Sequence, residues 1–447
     1  MDISIRPAAQ AAATVEDPEF PNGTADDPVV GPSKPRLLGI LGPGLITGAS
    51  DDDPSGVATY SQAGAQLGFS CLWLMPFTYP LMAVTQEISA RIGRTTGQGM
   101  AGNIRRHYPA WVGHVCIALL LAANIVNLGA DLGSMGDVTA MLAGGPRWLF
   151  VLAFGGLCVT LQVFLSYARY TSLLKWLTLA LFAYFGTALV VKIPWGEALH
   201  GLVVPTWSAS RDYVSVIVAV LGTTISPYLF FWQSSQEAED QREQPLREKL
   251  TRAPEQAPAA FARIRLDTWI GMALSNLVAL AILLTTAATL HASGKTDITT
   301  AQQAAEALKP VAGGLAYAVF ALGILGSGFM AVPVLAGSAA YAIGEALRWP
   351  VGLARKPKEA RAFYATLVIA TVLGTILNFL PVDPIKALFW SAVINGVMAA
   401  PIILVMMLLA SNRRVMGRFT LSPGLRIIGW STAAVMGAAV AGLFATL

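Results

Sequence analysis

From residue 37 onward the chain alternates apolar blocks of about twenty residues or more with short polar connections, and about twenty apolar residues is what a helix needs to cross hydrocarbon. The blocks predict eleven helical spans, over 37–66, 69–93, 112–143, 149–168, 171–191, 211–235, 267–291, 311–345, 362–380, 386–410 and 425–446. Residues 1–36 are rich in Pro, Ala, Asp and Gly without apolar periodicity and read as a disordered tail, ahead of a membrane domain over 37–447. No apolar tract begins the chain, so a cleaved signal peptide is not expected.

Two of the blocks are interrupted at their centres. The first is cut by Ser50-Asp51-Asp52-Asp53-Pro54-Ser55-Gly56 and the sixth by Gly222-Thr223-Thr224-Ile225-Ser226-Pro227-Tyr228. The flanks of the first break are each too short to cross alone. Each broken block opens one half of a ten-helix set, the pattern of an inverted repeat of five plus five helices. The first repeat then covers about residues 37–191 and the second about 211–410, with an eleventh helix appended at about 425–446. Non-helical backbone at membrane depth persists only where protein or a watery cavity surrounds it, so these breaks are expected to line a site.

Composition agrees with a lipid solvent. Apolar side chains make up 55% and charged ones 13%, with a mean hydropathy of +0.58; a water-soluble globule normally carries about 25% charge. The fold class expected is therefore an all-α polytopic membrane protein. With the N-terminus in the cytoplasm, Arg91, Arg94, Arg105, Arg106, the basic run from Arg242 to Arg265, the run from Arg348 to Arg361, and Arg413, Arg414 and Arg418 all fall inside. Few basic residues, among them Arg147, Lys192 and Lys386, fall outside, as the positive-inside rule requires. The C-terminus then faces out, and the location expected is the cell, or inner, membrane. The net charge of +4 is explained by this topology and calls for no nucleic-acid partner. Cys71, Cys116 and Cys158 lie inside apolar blocks and read as buried hydrophobes. The four histidines have no ligand spacing, which argues against an intramembrane zinc hydrolase and for a protein that is not an enzyme.

Three consecutive carboxylates in an apolar block require explanation, since each costs at least about 2.5 kcal/mol at the centre of a membrane helix. A bound cation offsets that cost. Carboxylate, hydroxyl and freed backbone carbonyls are the oxygens that hard divalent ions take. Candidate ligands are Asp53, Ser226, Thr223, Gly56, Asp52 and Asp51, with Pro54, Ser55, Pro227 and Tyr228 shaping the breaks. Asp51 and Asp52 also fit a vestibule that concentrates cations without coordinating them. The plainer reading makes residues 51–53 a solvated loop and the sixth-block break a proline kink whose Ser and Thr bond back to the helix. Asp131, in Asn124-x-x-Asn127-x-x-x-Asp131, is a further buried carboxylate that would relay protons or ions, or pair with an arginine. Glu87 stands one turn ahead of Arg91 and predicts an ion pair. Asn276 and Asn395 fit either outer ligands or bonds between helices.

The order and spacing of Gly42-Pro43-Gly44-Leu45, Asp53-Pro54-Ser55-Gly56, Ser89-Ala90-Arg91-Ile92-Gly93, Thr96-Gly97 and Ala130-Asp131-Leu132 resemble the NRAMP family of metal-ion transporters. The likeness continues through Leu266-Asp267-Thr268, Ala287-Ala288-Thr289-Leu290-His291 and Phe320-Ala321-Leu322-Gly323, nearly the whole chain after residue 36. It implies a LeuT-type fold and proton-coupled uptake of manganese and iron. The departures alter that expectation. Ser55-Gly56 stands where the family has Gly-Asn, Ser226-Pro227-Tyr228 where it has Met-Pro-His, and Thr223 where it has alanine. Gln233 replaces the second histidine expected on the sixth helix, and Ser134 the glutamate one turn after Asp131. A thioether selects softer metals and a hydroxyl does not, so Mg²⁺ becomes admissible. Phenol and amide do not titrate near neutral pH, which weakens proton coupling at Tyr228 and Gln233.

These losses resemble the NRAMP-related magnesium transporter branch, which implies alternating-access import of Mg²⁺, and of Mn²⁺, with weak or no proton coupling. No cofactor is expected, the metal being cargo. The partners are the ion and the bilayer, with a monomer sufficient for function. A proton-coupled Mn²⁺/Fe²⁺ importer, with Asp131 and Gln233 on its relay path, and a metal sensor are the alternatives.

Overall fold

Pro54 and Pro227 each restart a helix that has just ended, and the molecule is organised around those two restarts. The computed structural model describes residues 43–164, 182–243, 246–381 and 383–446. Its helices are α1 (Pro43–Asp51), α2 (Pro54–Leu67), α3 (Leu74–Thr96), α4 (Met100–His107), α5 (Ala110–Ala143), α6 (Arg147–Phe164), α7 (Ala183–Val190) and α8 (Trp195–Val203). The second half comprises α9 (Arg211–Thr224), α10 (Pro227–Glu243), α11 (Ala257–Thr289), α12 (Ala316–Leu347), α13 (Arg361–Leu377), α14 (Pro384–Ser411) and α15 (Pro423–Thr446). Among the described residues there is no strand. The expected tail over 1–36, and most of the expected span over 171–191, lie outside the described residues.

Among the described residues seven helical stretches are long and apolar enough to cross a membrane, or eight if the pair Pro54–Cys71 and Leu74–Thr96, bent by 116°, is one span. The chain is therefore a multi-pass membrane protein. The expected spans fall on helices wherever the residues are described, with informative differences at the ends. The second span starts at Leu74 and not at 69, because Gly68 sits at φ +61 and opens a 3-10 turn over Gly68–Cys71. The sixth runs on to Glu243, well past the apolar block, and its polar stretch from Gln233 to Gln241 is buried. That end is polar because it packs against charges inside the protein and not against lipid. The seventh helix begins at Ala257, ahead of the expected 267, and the added turns carry Arg263.

Small residues bring the helices into backbone contact. A Cβ on Gly222 of α9 would lie 2.7 Å from Gly396 Cα of α14, and one on Gly48 of α1 would lie 2.8 Å from Gly271 Cα of α11. In lipid there is no hydrophobic force between helices, so this close packing holds α1 on α11 and α9 on α14.

A layer of buried charge closes the end of the bundle where α3 and α10 finish. Arg263 pairs with Glu237, and Arg247 with Asp240 at 2.6 Å. Arg94 donates to the Glu248 carbonyl at 2.6 Å and to Gln256 Oε1 at 2.8 Å. Asp267, 4.0 Å from Arg263, accepts from the Gly44 N–H at 2.7 Å and so pins the start of α1 to α11. At the opposite end a cavity of about 530 Å³ opens between α2, α9 and α14, lined by Ala58, Gln62, Gln66, Asp212, Asp297 and Lys386 among others.

Candidate functional site

Proline explains both the breaks and what surrounds them. Pro54 has no N–H and leaves the carbonyl of Ser50, four residues back, without its helical partner. Tyr228, from the other break, supplies one: its hydroxyl donates to Ser50 O at 3.2 Å. Pro227 strands the carbonyl of Thr223 in the same way, and Ser226 Oγ donates to it at 2.9 Å and to Gly222 O at 3.0 Å. The plain kink geometry is thus present at Ser226. Its hydroxyl spends its one proton on the helix and keeps oxygen lone pairs for another partner.

The two breaks meet. A Cβ on Gly56 would stand 3.1 Å from Thr223 Oγ1, so only glycine lets the start of α2 approach the end of α9 without displacing that hydroxyl. Asp53 caps α2 in extended backbone at φ −70, ψ 169, its Oδ1 accepting from the Gly56 N–H at 2.6 Å. Asn127 of α5 donates to Asp53 Oδ2 at 2.9 Å, and Tyr228 Oη approaches the same oxygen at 3.4 Å. Asp53 is 2% exposed and Tyr228 fully buried. The solvated-loop reading of residues 51–53 is overturned, because all three aspartates are buried.

The other two carboxylates face elsewhere. Ser275 of α11 lies 2.7 Å from Asp51 Oδ2 and 3.2 Å from Asp52 Oδ1, and its single proton serves one of them at a time. Asp51 Oδ1 is buried without a hydrogen bond. Among the described residues no ion pair involves Asp51, Asp52, Asp53 or Asp131. Asp131 is fully buried in α5, and neither of its oxygens accepts a hydrogen bond of good geometry. Among the described residues no arginine pairs with Asp131.

Gln233 is not brought to the breaks: its Nε2 donates to Thr268 Oγ1 at 2.9 Å, tying α10 to α11 on the way to the charged layer. Glu87 pairs with Arg91 at 2.6 Å as its spacing predicted, and also accepts from Trp269 Nε1 at 2.7 Å. Asn276 bonds across to Thr78 at 3.4 Å on α3, one of its two expected roles. Cys71, Cys116 and Cys158 are buried and unpaired.

Three residues at the site escaped sequence reasoning as candidates: Asn127, Ser275 and Ser391. Ser391 of α14 donates to Asn127 Oδ1 at 2.8 Å and lies 3.1 Å from Ser55 Oγ, joining α2, α5 and α14 in one network. The available signal for Asn127 was its position one turn before Asp131, on the same helix face. Among the described residues no three His, Cys, Asp or Glu converge as a metal cage. A cation at this junction would be held by one carboxylate, Asp53, together with hydroxyl, amide and carbonyl oxygens. That is a hard, incompletely charged set, suited to ions that keep some of their water.

Two helices broken at facing points around buried oxygens, inside a bundle with a cavity at one end and a charged seal at the other, define a membrane transporter and not an enzyme. The chain belongs to the Nramp family, whose model, described as natural resistance-associated macrophage protein-like, matches residues 44–446. It is 25% identical over 406 residues to the divalent metal cation transporter MntH of Klebsiella pneumoniae, covering 89% of this chain and 92% of that one. The MntH of Bradyrhizobium diazoefficiens is 26% identical over 419 residues, with 90% and 88% covered. The fold matches that of the Eremococcus coleocola manganese transporter with a TM-score of 0.73 at 17% identity, over 93% of this chain and 90% of that one. Mhp1, a nucleobase-cation-symport-1 family transporter, superimposes with a TM-score of 0.54 at 14% identity, over 91% and 93%. The fold is thus of the LeuT type, as the family resemblance implied.

Proposed function

We propose that this protein imports divalent cations, Mg²⁺ and also Mn²⁺, by alternating access, with weak or no proton coupling. The single observation that carries the reading is the buried Asp53 carboxylate, held between the two helix breaks with no basic partner among the described residues. A buried anion without a counter-charge is costly, and a divalent ion drawn from the cavity above α2 offsets that cost. Ala58, on the cavity wall, lies five residues beyond Asp53, or about 7.5 Å along the helix. In this reading the cavity faces outside, the charged layer faces the cytoplasm, and the N-terminus is inside.

Ser226 and Thr223 contribute oxygens, and Pro54, Ser55, Gly56, Pro227 and Tyr228 hold the breaks in register. Asp51 and Asp52 draw cations toward the site from the α11 side. The absence of a methionine sulfur at Ser226 favours hard ions over Mn²⁺ and Fe²⁺ alone. An inside-negative potential supplies about 4.6 kcal/mol per 100 mV for two charges, enough to accumulate the ion without protons. The relatives' names support divalent cargo. The choice of Mg²⁺ rests on the hydroxyl of Ser226 standing where the family has a methionine sulfur.

Transport of Mg²⁺ and Mn²⁺ into proteoliposomes carrying an internal pH dye tests both parts. Flux of both ions without acidification, abolished in Asp53→Ala protein that still purifies as a monodisperse peak, is the expected result. Metal-driven acidification would instead establish a proton-coupled importer with Asp131 as the relay. Binding without flux would establish a sensor.

A further inference from the structure

Asn127 presents the wrong end of its amide to a cation site. Its Nδ2 donates to Asp53 Oδ2 at 2.9 Å, while Oδ1 points away and accepts from Ser391 Oγ at 2.8 Å. An ion seated on Asp53 would meet N–H dipoles directed at it, an arrangement that repels positive charge. The same side chain turned half a revolution would offer it an amide oxygen, a ligand that hard divalent ions accept.

The surroundings permit that turn. Asn127 is fully buried, so either orientation needs a protein partner on its far side. Ser391 is such a partner, because a hydroxyl both donates and accepts. Its single proton has three acceptors within reach: Asn127 Oδ1 at 2.8 Å, the carbonyl of Leu388 in its own helix at 2.7 Å and, more distant, Ser55 Oγ at 3.1 Å. With the proton on Asn127, the amide oxygen faces Ser391 and the N–H faces Asp53. With the proton on Leu388 O, the Ser391 oxygen is free to accept from Nδ2, and Oδ1 faces Asp53. Leu388 O is shared with Ser55 Oγ at 3.0 Å, and a carbonyl has lone pairs for both. No bond in this network is left unmade by the exchange except the one from Nδ2 to Asp53, which the cation replaces.

Resting on the proposed reading of Asp53 as the cation's carboxylate, we propose that Asn127 is a ligand of the transported ion, its amide rotating on arrival and Ser391 accommodating both orientations. Asn127 stands on α5, a helix that neither break belongs to. The ion thereby ties α5 and, through Ser391, α14 to the two broken helices. The side-chain oxygen that Gly56 lacks is supplied from across the site.

The test uses full-length purified protein and Mn²⁺ as the probe. Electron–nuclear double resonance of Mn²⁺ bound to protein carrying ¹³C-carboxamide asparagine is expected to show a strong ¹³C coupling that disappears in Asn127→Leu. Calorimetric titration is expected to show that Asn127→Leu weakens Mg²⁺ and Mn²⁺ binding about tenfold to a hundredfold, at least the effect of losing an outer partner. Asn127→Asp, which keeps an oxygen in either orientation, retains or tightens binding. Asn127→Asp as weak as Asn127→Leu, or wild-type protein without the ¹³C coupling, would overturn the proposal and leave Asn127 a mere donor to Asp53. Asp53→Asn separates the two levels. If it binds Mn²⁺ as tightly as wild type, the Asp53 reading itself fails; if it loses binding while Asn127→Leu does not, only the role of Asn127 fails. The coupling in wild-type protein decides the matter even where Asn127→Leu does not fold.

Discussion

At the scale of the residue, the chemistry of the site is set by which atoms stand around one buried carboxylate. Asp53 is surrounded by donors: the Gly56 N–H, the Asn127 amide and the Tyr228 hydroxyl. These hold an anion in place, and in the proposed cycle the ion takes over from the Asn127 amide. Ser226 is where selectivity is most simply altered. Replacing its hydroxyl by a thioether, Ser226→Met, removes a hard oxygen and adds a soft, polarizable sulfur. The expected outcome is a lower ratio of Mg²⁺ to Mn²⁺ flux, read by competition between the two ions in proteoliposomes; an unchanged ratio would place Ser226 outside the ion's reach. The aspartate run was conspicuous in the sequence because charge is rare in apolar blocks. Asn127 was not, since amides in helix bundles commonly just join neighbours.

At the scale of the element, each proline break is paired with a device that repairs it. Ser226 repairs its own helix, whereas the carbonyl stranded by Pro54 is met by Tyr228 from the partner break. The second arrangement couples the two broken helices through one phenol. Tyr228→Phe leaves Ser50 O without that donor and is expected to lower transport more than stability, because the bond is long and the ring still fills its space. Flux and thermal unfolding measured on one preparation check it, and an equal loss in both would make Tyr228 only structural. The α9–α14 contact is a packing element with no room to spare. Gly396→Leu would drive a side chain toward the Val218 carbonyl, where even a Cβ would lie 2.6 Å away. Overpacking of this kind costs typically about 1–3 kcal/mol, to be read as a lowered unfolding temperature in detergent.

At the scale of the whole molecule, the two ends of the bundle are unlike. One holds a cavity, and the other holds ion pairs joining α10 and α11 through Arg263 and Glu237. The proposed alternating access requires that charged layer to open. Arg263→Gln removes the cation and leaves Glu237 buried, and breaking a buried pair in this way costs about 3–5 kcal/mol in the closed arrangement. The expected result is faster modification of a cysteine placed at Thr268 by a thiol reagent added from the side of the charged layer, the cytoplasmic side in the proposed orientation. The native cysteines are buried and contribute little background. No gain in labelling would mean that the layer stabilises the fold without gating it. Beyond the membrane, Glu306 is held below the usual carboxylate range by its bonds to Lys295 and Lys309. The stabilisation of that loop is therefore present above the ordinary glutamate pKa and lost as acid protonates Glu306.

Membrane residence and the positions of the two breaks were legible in the sequence, because lipid imposes a length and an apolar composition on whatever crosses it, and proline interrupts a helix wherever it falls. The polar end of α10 and the early start of α11 were not legible. Their charged residues look solvent-facing until their partners are known, and those partners lie on helices remote in sequence. Only the tertiary structure turned Asp53 toward Asn127 and Tyr228, and Asp51 and Asp52 toward Ser275. The orientation of a carboxylate depends on which donors other helices bring to it, and no local pattern of residues encodes that.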